Sequence, residues 1–361
     1  MKTKIISLYI ILFFLLCGTL GYAQQTFYYE FDTSLAIESG RMACIKNQNT
    51  FFITGNHCDS IGAIAYYGEI NNSGQAIYTK SIEKHLFSSI ITFSNTIYLV
   101  GLFYSDNNVL VNYSILNPDK NLETIKNYQV PGEKGIISLK AFLNSQNEIV
   151  IYLSTFFDIK ILVIDIFGNI ITQHCYDNHL TFYDLIENPD KTSYTGLSLT
   201  DQYKFIVFDK SFEIMNEYPG EYYFWLNNFK WINDSTLLNI GRTINDFVGV
   251  ETLDKNFNRL KSHEFGAVDT INYPAFFKTL LWPDEGNSFY IFTTKGVSTF
   301  HTRPGWLGLA KFNKESLEPE WIRYFGGSDF YYQALSIEQS ADDGILLQAT
   351  RAYIYDEVRK E

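Results

Sequence analysis

Six Asp or Asn residues recur along this 361-residue chain at a nearly constant spacing, each at the end of a short apolar run and just before a turn. Their positions are separated by 46, 48, 44, 45 and 59 residues: Asn71, Asn117, Asp165, Asp209, Asp254 and Asn313. A fixed period of this size is typical of an array built from one supersecondary unit. The chain is therefore expected to fold as repeated units around shared interfaces.

Each unit has the pattern of four short strands. Two apolar strands come first, a third strand ends at the Asp or Asn, and a more polar fourth strand follows the turn. The polar fourth strands are expected at Ile77–Ile82, Glu123–Val130, Ile170–Tyr176, Ile214–Tyr218, Leu260–Phe265 and Trp321–Phe325. Buried inner strands with a polar rim are typical of four-stranded sheets arranged radially. The sequence therefore predicts an all-β protein, a β-propeller.

The repeat also predicts the number of blades. Six blades are expected at residues 38–85, 86–132, 133–178, 179–223, 224–268 and 269–328. The remaining residues, 329–361, supply an inner hairpin and a third strand at Ala352–Val358, which leaves a seventh blade without its outer strand. Thr26–Asp32 matches the outer-strand pattern of Trp321–Phe325 and would close the ring. We expect seven blades, with six as the alternative, and a fragment of a longer protein as a third interpretation.

The N-terminus has the features of a secretory signal peptide. Two lysines lie within the first four residues, Ile5–Leu16 is apolar and uncharged, and Gly21-Tyr22-Ala23 supplies small residues before the cut. We expect a signal peptide at 1–23 and a single propeller domain at 24–361. Acylation at Cys17 is the alternative, which Leu16 disfavours because that processing requires a small residue there. The protein is expected to be exported to the periplasm, cell surface or medium, with no membrane span after signal cleavage.

Composition narrows the class of partner. Aromatic residues make up 17% of the chain, which suits half-buried strands. The net charge of -12 argues against nucleic acid as a partner, because phosphate binding requires concentrated Lys and Arg.

After cleavage three cysteines remain, Cys44, Cys58 and Cys175, an odd number in an exported protein. Cys44 and Cys58 would not face each other across their hairpin, so buried free thiols are favoured over one disulfide.

One stretch near the C-terminus resembles a known blade type. It runs Trp-Ile-Arg-Tyr-Phe-Gly-Gly-Ser-Asp over 321–329, then Ala-Leu-Ser-Ile over 334–337 and Ser-Ala-Asp-Asp-Gly over 340–344. This is similar to secreted β-propeller proteins of Bacteroidetes-type bacteria, which repeat Trp-x-Lys-x-Tyr-Gly-Gly, an Asp, Ala-x-Ser-Ile and an Asp-Gly-Gly turn. The fifth predicted blade keeps only Glu264-Phe265-Gly266. The resemblance implies a propeller fold and an exported location, and it carries over no catalytic residue.

Carboxylates recur in the loops between second and third strands, about one per repeat. They are Asp59, Asp106, Asp158, Asp201 and Asp246. In a propeller these loops lie on one face together with the connections between blades, so the carboxylates could hold Ca²⁺ or accept hydrogen bonds from sugar hydroxyls. No other cofactor is expected. The alternative interpretation is that each Asp bonds its own backbone and stabilises a turn.

The 59-residue gap contains an insertion of about a dozen residues, within 295–306. This loop carries His301, Arg303 and Trp306 and is expected over the same face. Long loops on rigid scaffolds are often functional, and a Trp beside an Arg could stack on a sugar ring and bond its hydroxyls. In the alternative interpretation, Trp306 fills the gap between two blades and Pro304-Gly305 is an ordinary turn.

The sequence contains no nucleophile constellation, and its six His residues are scattered without a zinc-ligand pattern. We therefore expect an exported, non-enzymatic binding protein whose loops contact a glycan or an envelope protein. The rival hypothesis is a carbohydrate-active hydrolase or lyase with an acidic site on the loop face, which needs two titratable groups near one bond.

Overall fold

The structure, a computed structural model, describes residues 39–45, 50–58, 62–71, 73–105, 108–129, 136–155, 158–177, 181–199, 203–220, 225–268, 270–297, 303–340 and 344–354. These residues are almost entirely β-strands joined by short turns. Within the described ranges we find no helix with the length and hydropathy that a membrane crossing requires. The predicted signal peptide and the segment Thr26–Asp32 lie outside the described residues.

The first three blades are antiparallel four-stranded sheets with the strands in chain order from inside to outside. The first contains β1 (Ser39–Ile45), β2 (Thr50–Cys58), β3 (Ala63–Asn71) and β4 (Ala76–Glu83). The second contains β5 (His85–Phe93), β6 (Thr96–Tyr104), β7 (Val109–Leu116) and β8 (Leu122–Gln129). The third contains β9 (Ile136–Leu143), β10 (Ile149–Thr155), β11 (Asp158–Ile164) and β12 (Ile170–Asp177).

The next three blades follow the same order, with one irregularity in the sixth. The fourth contains β13 (Thr181–Glu187), β14 (Ser193–Leu199), β15 (Tyr203–Asp209) and β16 (Ile214–Pro219). The fifth contains β17 (Trp225–Asn233), β18 (Thr236–Arg242), β19 (Val248–Asp254) and β20 (Arg259–Phe265). The sixth contains β21 (Asn272–Pro274), β22 (Leu280–Leu281), β23 (Ser288–Lys295), β24 (Trp306–Asn313) and β25 (Pro319–Phe325). Its inner strand is interrupted, because β21 and β22 both pair with β23.

A two-stranded sheet of β26 (Phe330–Gln339) and β27 (Ile345–Tyr353) follows the sixth blade. Strand β26 contacts β23 of the sixth blade and β1 of the first, so this hairpin lies between them. The β-propeller prediction is confirmed, with six complete blades among the described residues, the alternative number, and a hairpin in the place of an incomplete seventh. Ala352 and Tyr353 end β27, so they do not begin the third strand predicted from Ala352; residues 355–358 lie outside the described residues.

The hydrophobic core is divided among the interfaces between neighbouring blades. One cluster joins the second and third blades through Val100, Tyr113 and Ile151, and another joins the fifth and sixth through Ile240 and Phe312. The outer strands are mostly exposed; β16 has the pattern of five exposed residues in six. A polar outermost strand protects each blade from pairing with another chain, which explains the weak apolar character of every fourth strand in the repeat.

The repeating Asp or Asn organises the turn between the third and fourth strands. Asn71 Oδ1 accepts hydrogen bonds from the backbone N–H of Ser73 (3.0 Å) and Gln75 (2.9 Å). Asp209 Oδ1 does the same for Ser211 and Glu213, both at 2.9 Å. The side chain thus holds the turn by bonding its own backbone, which explains the period seen in the sequence.

The fourth residue of several of these turns has a left-handed backbone and packs against the blade before it. Phe212 has φ 62° and is buried, with its ring stacked on Tyr194 at 4.6 Å between centroids. Tyr176, on the outer strand of the third blade, donates a hydrogen bond to the Phe212 carbonyl. Tyr128 donates an equivalent bond of 2.7 Å to Gly168 across the preceding interface. The turns therefore contribute both to each blade and to its packing against the next.

The cysteines are separated in the fold. The register pairs Cys44 with Phe51, which places Cys58 seven positions further along β2 and about 20 Å away along the strand. This distance excludes a disulfide between Cys44 and Cys58. Cys175 is exposed on the outer strand β12, so the expectation of a buried thiol was wrong for this residue. Outer strands expose alternate side chains, and the sequence pattern alone did not distinguish them.

Candidate functional site

The loops between second and third strands and the connections between blades lie at the same end of the sheets, a surface we call the loop face. Over the fifth and sixth blades three of its described segments are bonded together: 243–247, 266–273 without residue 269, and 295–297. The backbone N–H groups of Gly296 and Val297 donate to the Ile271 carbonyl at 2.9 and 3.0 Å. Asn272 N–H donates to the Asp246 carbonyl at 2.9 Å. The insertion predicted as a binding loop is therefore joined to its neighbours by backbone hydrogen bonds.

Asn272 is the centre of this arrangement, and its side chain is buried, with 2% exposure. Its Nδ2 donates to the carbonyls of Thr270 (2.8 Å), Asp246 (3.0 Å) and Ala267 (3.1 Å). Its Oδ1 accepts from Ala267 N–H at 3.2 Å. One amide thus satisfies four backbone groups, and this fixes the connection between the two blades relative to the loop before it.

An ion pair stands beside this amide. Arg242, at the end of β18, donates from Nε to Asp246 Oδ1 at 2.9 Å and pairs with the same carboxylate through Nη2. The guanidinium also bonds the Tyr273 hydroxyl and lies 4.6 Å from the centre of the Tyr273 ring. The Asp246 side chain remains 39% exposed. A planar guanidinium fixed in this way is oriented to donate further hydrogen bonds to solvent or a ligand.

Aromatic and cationic side chains follow on the sixth blade. Strand pairing places Lys295 opposite Trp306 and Gly308 opposite Tyr324, and all four face the fifth blade. Lys295 Nζ lies 4.7 Å from the centre of the Tyr324 ring, which is 36% exposed. A Cβ at Gly308 would lie 3.2 Å from Tyr324 Cε1 and 2.3 Å from Thr293 Oγ1, so glycine lets the ring lie against the sheet.

The other predicted loop residues have different environments. Trp306 is half-buried, and the backbone of Gly326 approaches its indole so closely that a Cβ there would lie 3.1 Å from Cε3. Arg303 is exposed and donates from Nη2 to the Val297 carbonyl at 3.0 Å. Trp306 therefore packs against the backbone at the end of β25 and is half-buried, and its sugar-stacking role stays a prediction. His301 lies outside the described residues.

The predicted carboxylates are described at two positions in different blades. Asp158 begins β11 of the third blade, and its backbone N–H bonds Thr155 Oγ1 at 3.0 Å. Asp246 is in the fifth blade, with its charge paired to Arg242. Asp59, Asp106 and Asp201 lie outside the described residues. Among the side chains that are described, no group of three His, Cys, Asp or Glu residues could hold a metal ion.

Sequence reasoning missed Arg242, Tyr273, Lys295 and Tyr324. Arg242 and Asp246 lie four residues apart at the end of an apolar strand, a spacing that could have indicated the pair. Tyr273 meets Arg242 across the blades, and Lys295 meets Tyr324 through strand pairing. We use the name charged-aromatic cluster for the charged and aromatic residues of this end of the fifth and sixth blades: Arg242, Asp246, Tyr273, Lys295, Arg303, Trp306 and Tyr324.

No family model and no curated protein sequence matches the chain. Its fold is similar to the periplasmic gluconolactonase of Pseudomonas aeruginosa, with a TM-score of 0.59 and 10% identity over 83% of this chain and 95% of that one. It is also similar to prolyl oligopeptidase B of Galerina marginata, with a TM-score of 0.52 and 14% identity over 90% of this chain and 48% of the enzyme. A third similar structure is a dihydro-heme d1 dehydrogenase, with a TM-score of 0.54 and 12% identity over 88% of this chain and 62% of the dehydrogenase.

These similarities establish the β-propeller architecture. The chain spans about half the length of the oligopeptidase and less than two thirds of the dehydrogenase. At 10 to 14% identity the shared feature is the fold, and unrelated activities are built on one fold. The function has to be argued from the site itself.

Proposed function

We propose that this protein is an exported, non-enzymatic binding protein that takes a glycan at the charged-aromatic cluster. One observation carries the proposal: a guanidinium fixed against the Tyr273 ring and a lysine over the Tyr324 ring lie on loop-face segments of the fifth and sixth blades that backbone hydrogen bonds join. Tyr324 and Trp306 offer apolar ring surfaces for a sugar, while Arg242 and Arg303 offer donors for its hydroxyls. Such a surface binds without needing any bond-breaking group.

The rigidity of the cluster supports binding. Asn272 and the Ile271 carbonyl hold three segments together before any ligand arrives. A preformed site loses less conformational entropy on binding, which favours affinity. Glycosidic chemistry, in contrast, requires a pair of carboxyl groups about 5 to 10 Å apart. At this cluster Asp246 is the predicted carboxylate, and Arg242 neutralises it.

The test is a glycan array probed with the purified mature protein, with and without Ca²⁺, followed by titration calorimetry on the best glycan. Tyr324→Ala and Trp306→Ala should each weaken binding about tenfold, equivalent to about 1.4 kcal/mol, because each removes a stacking surface. The matched control is Phe167→Ala. Phe167 is 73% exposed in the turn between β11 and β12, on the opposite face of the ring.

Two results would contradict the proposal. The first is an array without a saturable glycan in either buffer. The second is a glycan that binds the Tyr324 and Trp306 variants as tightly as the wild type, which would move the site elsewhere. Dependence on Ca²⁺ in the wild type would support the predicted cation at the loop-face carboxylates.

A further inference from the structure

A cleft of about 320 Å³ opens between the second and third blades, away from the loop-face cluster. Strands β7 and β8 form one wall, and β10, β11 and β12 form the other. Its volume lies at the lower end of the range for small-molecule pockets, roughly 300 to 1,000 Å³. The cleft is large enough for one small ligand.

The floor of the cleft is apolar. Val111 and Tyr128 line it from the second blade, and Ile151, Leu153 and Leu162 line it from the third. Most of these side chains belong to the core cluster that joins the two blades. The cleft is therefore a place where the interface core opens toward solvent, and an aliphatic group could extend the core into it.

Two lysines stand at the edges of this floor, one from each wall. Lys126 pairs with Tyr113 in the strand register, on the side of the second blade that faces the third. Lys160 pairs with Leu153, on the side of the third blade that faces the second. Among the described residues neither ammonium group has a hydrogen-bond or ion-pair partner. Gln173 also lines the cleft, and its register position opposite Leu162 puts it on the side of the third blade that faces the second.

Two lysines without a partner among the described residues are unexpected here, because carboxylates outnumber basic groups in this chain, whose net charge is -12. Lysines at other blade interfaces have carboxylate partners, as Lys120 has Glu69 and Lys140 has Asp184. Two like charges around one cleft repel each other, and an anion between them removes the repulsion. The chemistry of the cleft thus combines an apolar floor with a cationic rim.

We propose that this cleft binds an aliphatic carboxylate of medium chain length. The aliphatic chain lies along Val111, Ile151 and Leu162, and the carboxylate lies between Lys126 and Lys160, with the Gln173 amide as a further donor. This site is independent of the glycan site on the loop face. Its ligand class differs as well, so failure of one proposal leaves the other standing.

The test is titration calorimetry of the mature protein with decanoate, below its micelle concentration, and with decanol as the uncharged analogue. Decanoate should bind with a stoichiometry of one, and decanol at least tenfold more weakly. The double variant Lys126→Met with Lys160→Met should bind decanoate at least tenfold more weakly and keep the thermal midpoint. Lys261→Met is the control, since Lys261 lies on the outer strand β20 and bonds the Glu315 carbonyl.

A second variant tests the floor. Leu162→Trp places an indole in the cleft and should abolish binding of both ligands while the thermal transition is retained. If this variant does not fold, the decanoate affinity of the double lysine variant still tests the proposal. The proposal is overturned if decanoate shows no saturable binding, if decanol binds as tightly, or if the double lysine variant retains wild-type affinity.

Discussion

The side-chain amide of Gln348 donates a 2.9 Å hydrogen bond to the main-chain carbonyl of Thr54, a residue 294 positions earlier in the chain. Gln348 lies in β27 of the C-terminal hairpin, and Thr54 lies in β2 of the first blade. The other atom of the amide, Oε1, accepts a bond of 2.9 Å from Ser336 Oγ. This side chain therefore links the C-terminal hairpin to the first blade, where β26 also contacts β1.

Replacing Gln348 with Ala should lower the free energy of unfolding by about 1 to 2 kcal/mol. The variant loses the hydrogen bond to the Thr54 carbonyl and the one accepted from Ser336. Urea denaturation measures the change. Gln146→Ala, at an exposed turn between β9 and β10, is the control and should change stability by less than about 0.5 kcal/mol. Equal effects of the two substitutions would show that the contact does not stabilise the ring.

The predicted closing strand Thr26–Asp32 gives a second test of ring closure. Deleting it should lower the thermal midpoint, because the hairpin would then lose the strand expected to cover its edge. A variant with the same seven residues replaced by Gly and Ser keeps the chain length and should show the same loss. An unchanged midpoint in both variants would mean that this segment does not pair with the hairpin.

A buried charge joins the first two blades. Glu69 is buried and accepts a hydrogen bond of 2.6 Å from Thr50 Oγ1. It also forms an ion pair with Lys120 Nζ at 3.2 Å. Lys120→Met should cost about 2 kcal/mol, less than for a fully buried pair because Lys120 is 39% exposed. Lys204→Met removes the exposed pair with Glu217 and should cost about 0 to 1 kcal/mol. Equal losses in urea denaturation would contradict the role assigned to Glu69.

The turn carboxylates make stability depend on pH. A hydrogen bond from the Ser211 hydroxyl, then one from Glu213 N–H, lowers the pKa of Asp209. Hydrogen bonds from the Asn258 side chain and backbone lower the pKa of Asp254. A lowered pKa in the folded state gives stability that is present above the unfolded pKa, near 4, and is lost as pH falls through the folded value.

Asp209→Asn combined with Asp254→Asn should therefore reduce the loss of stability between about pH 5 and pH 3. Asn keeps the turn, because Asn71 accepts the same pair of backbone hydrogen bonds in the first blade. Urea midpoints of wild type and variant across this pH range make the comparison. Asp234→Asn, at an exposed turn of β17 and β18, is the control. If the double variant loses as much stability at low pH as the wild type, the two turn carboxylates are not the source of the pH dependence.

The sequence predicted the blades closely because each repeat carries local signals. The polar outer strand expected at Ile214–Tyr218 is Ile214–Pro219 in the structure, and the Asp that marks its turn bonds its own backbone. The period of this Asp depends on turn chemistry within five residues, which a single sequence reveals. The same locality explains why the hairpin at 329–361 was expected.

The candidate site was predicted only in part, because most of its geometry is not local. Trp306 and Arg303 were found from the length of their loop. Lys295 and Tyr324 meet through two strand pairings, and Arg242 reaches Tyr273 across blades. Asp246 was expected to bond its own turn or a ligand, and it pairs with Arg242. Strand register and blade packing decide these contacts, and the spacing of one residue type along the sequence predicts neither of them.

Gly266 tests whether the connection between the fifth and sixth blades is fixed by Asn272. Its φ is +148°, and a Cβ would lie 2.7 Å from Asn272 Cγ, so Gly266→Ala should strain the backbone and displace the buried amide. We expect a loss of about 2 to 3 kcal/mol and faster amide hydrogen exchange over 267–273.

Gly286→Ala provides the matched control. Gly286 has φ +80° but nothing within 4 Å of the added Cβ, so the substitution introduces backbone strain alone, about 1 kcal/mol. Exchange over 267–273 should remain as in the wild type. If Gly266→Ala costs no more than Gly286→Ala and leaves exchange unchanged, Asn272 does not hold the loop face together. Because the glycan proposal depends on that rigidity, the Gly266 variant should also bind the array ligand more weakly, while the Gly286 variant binds normally.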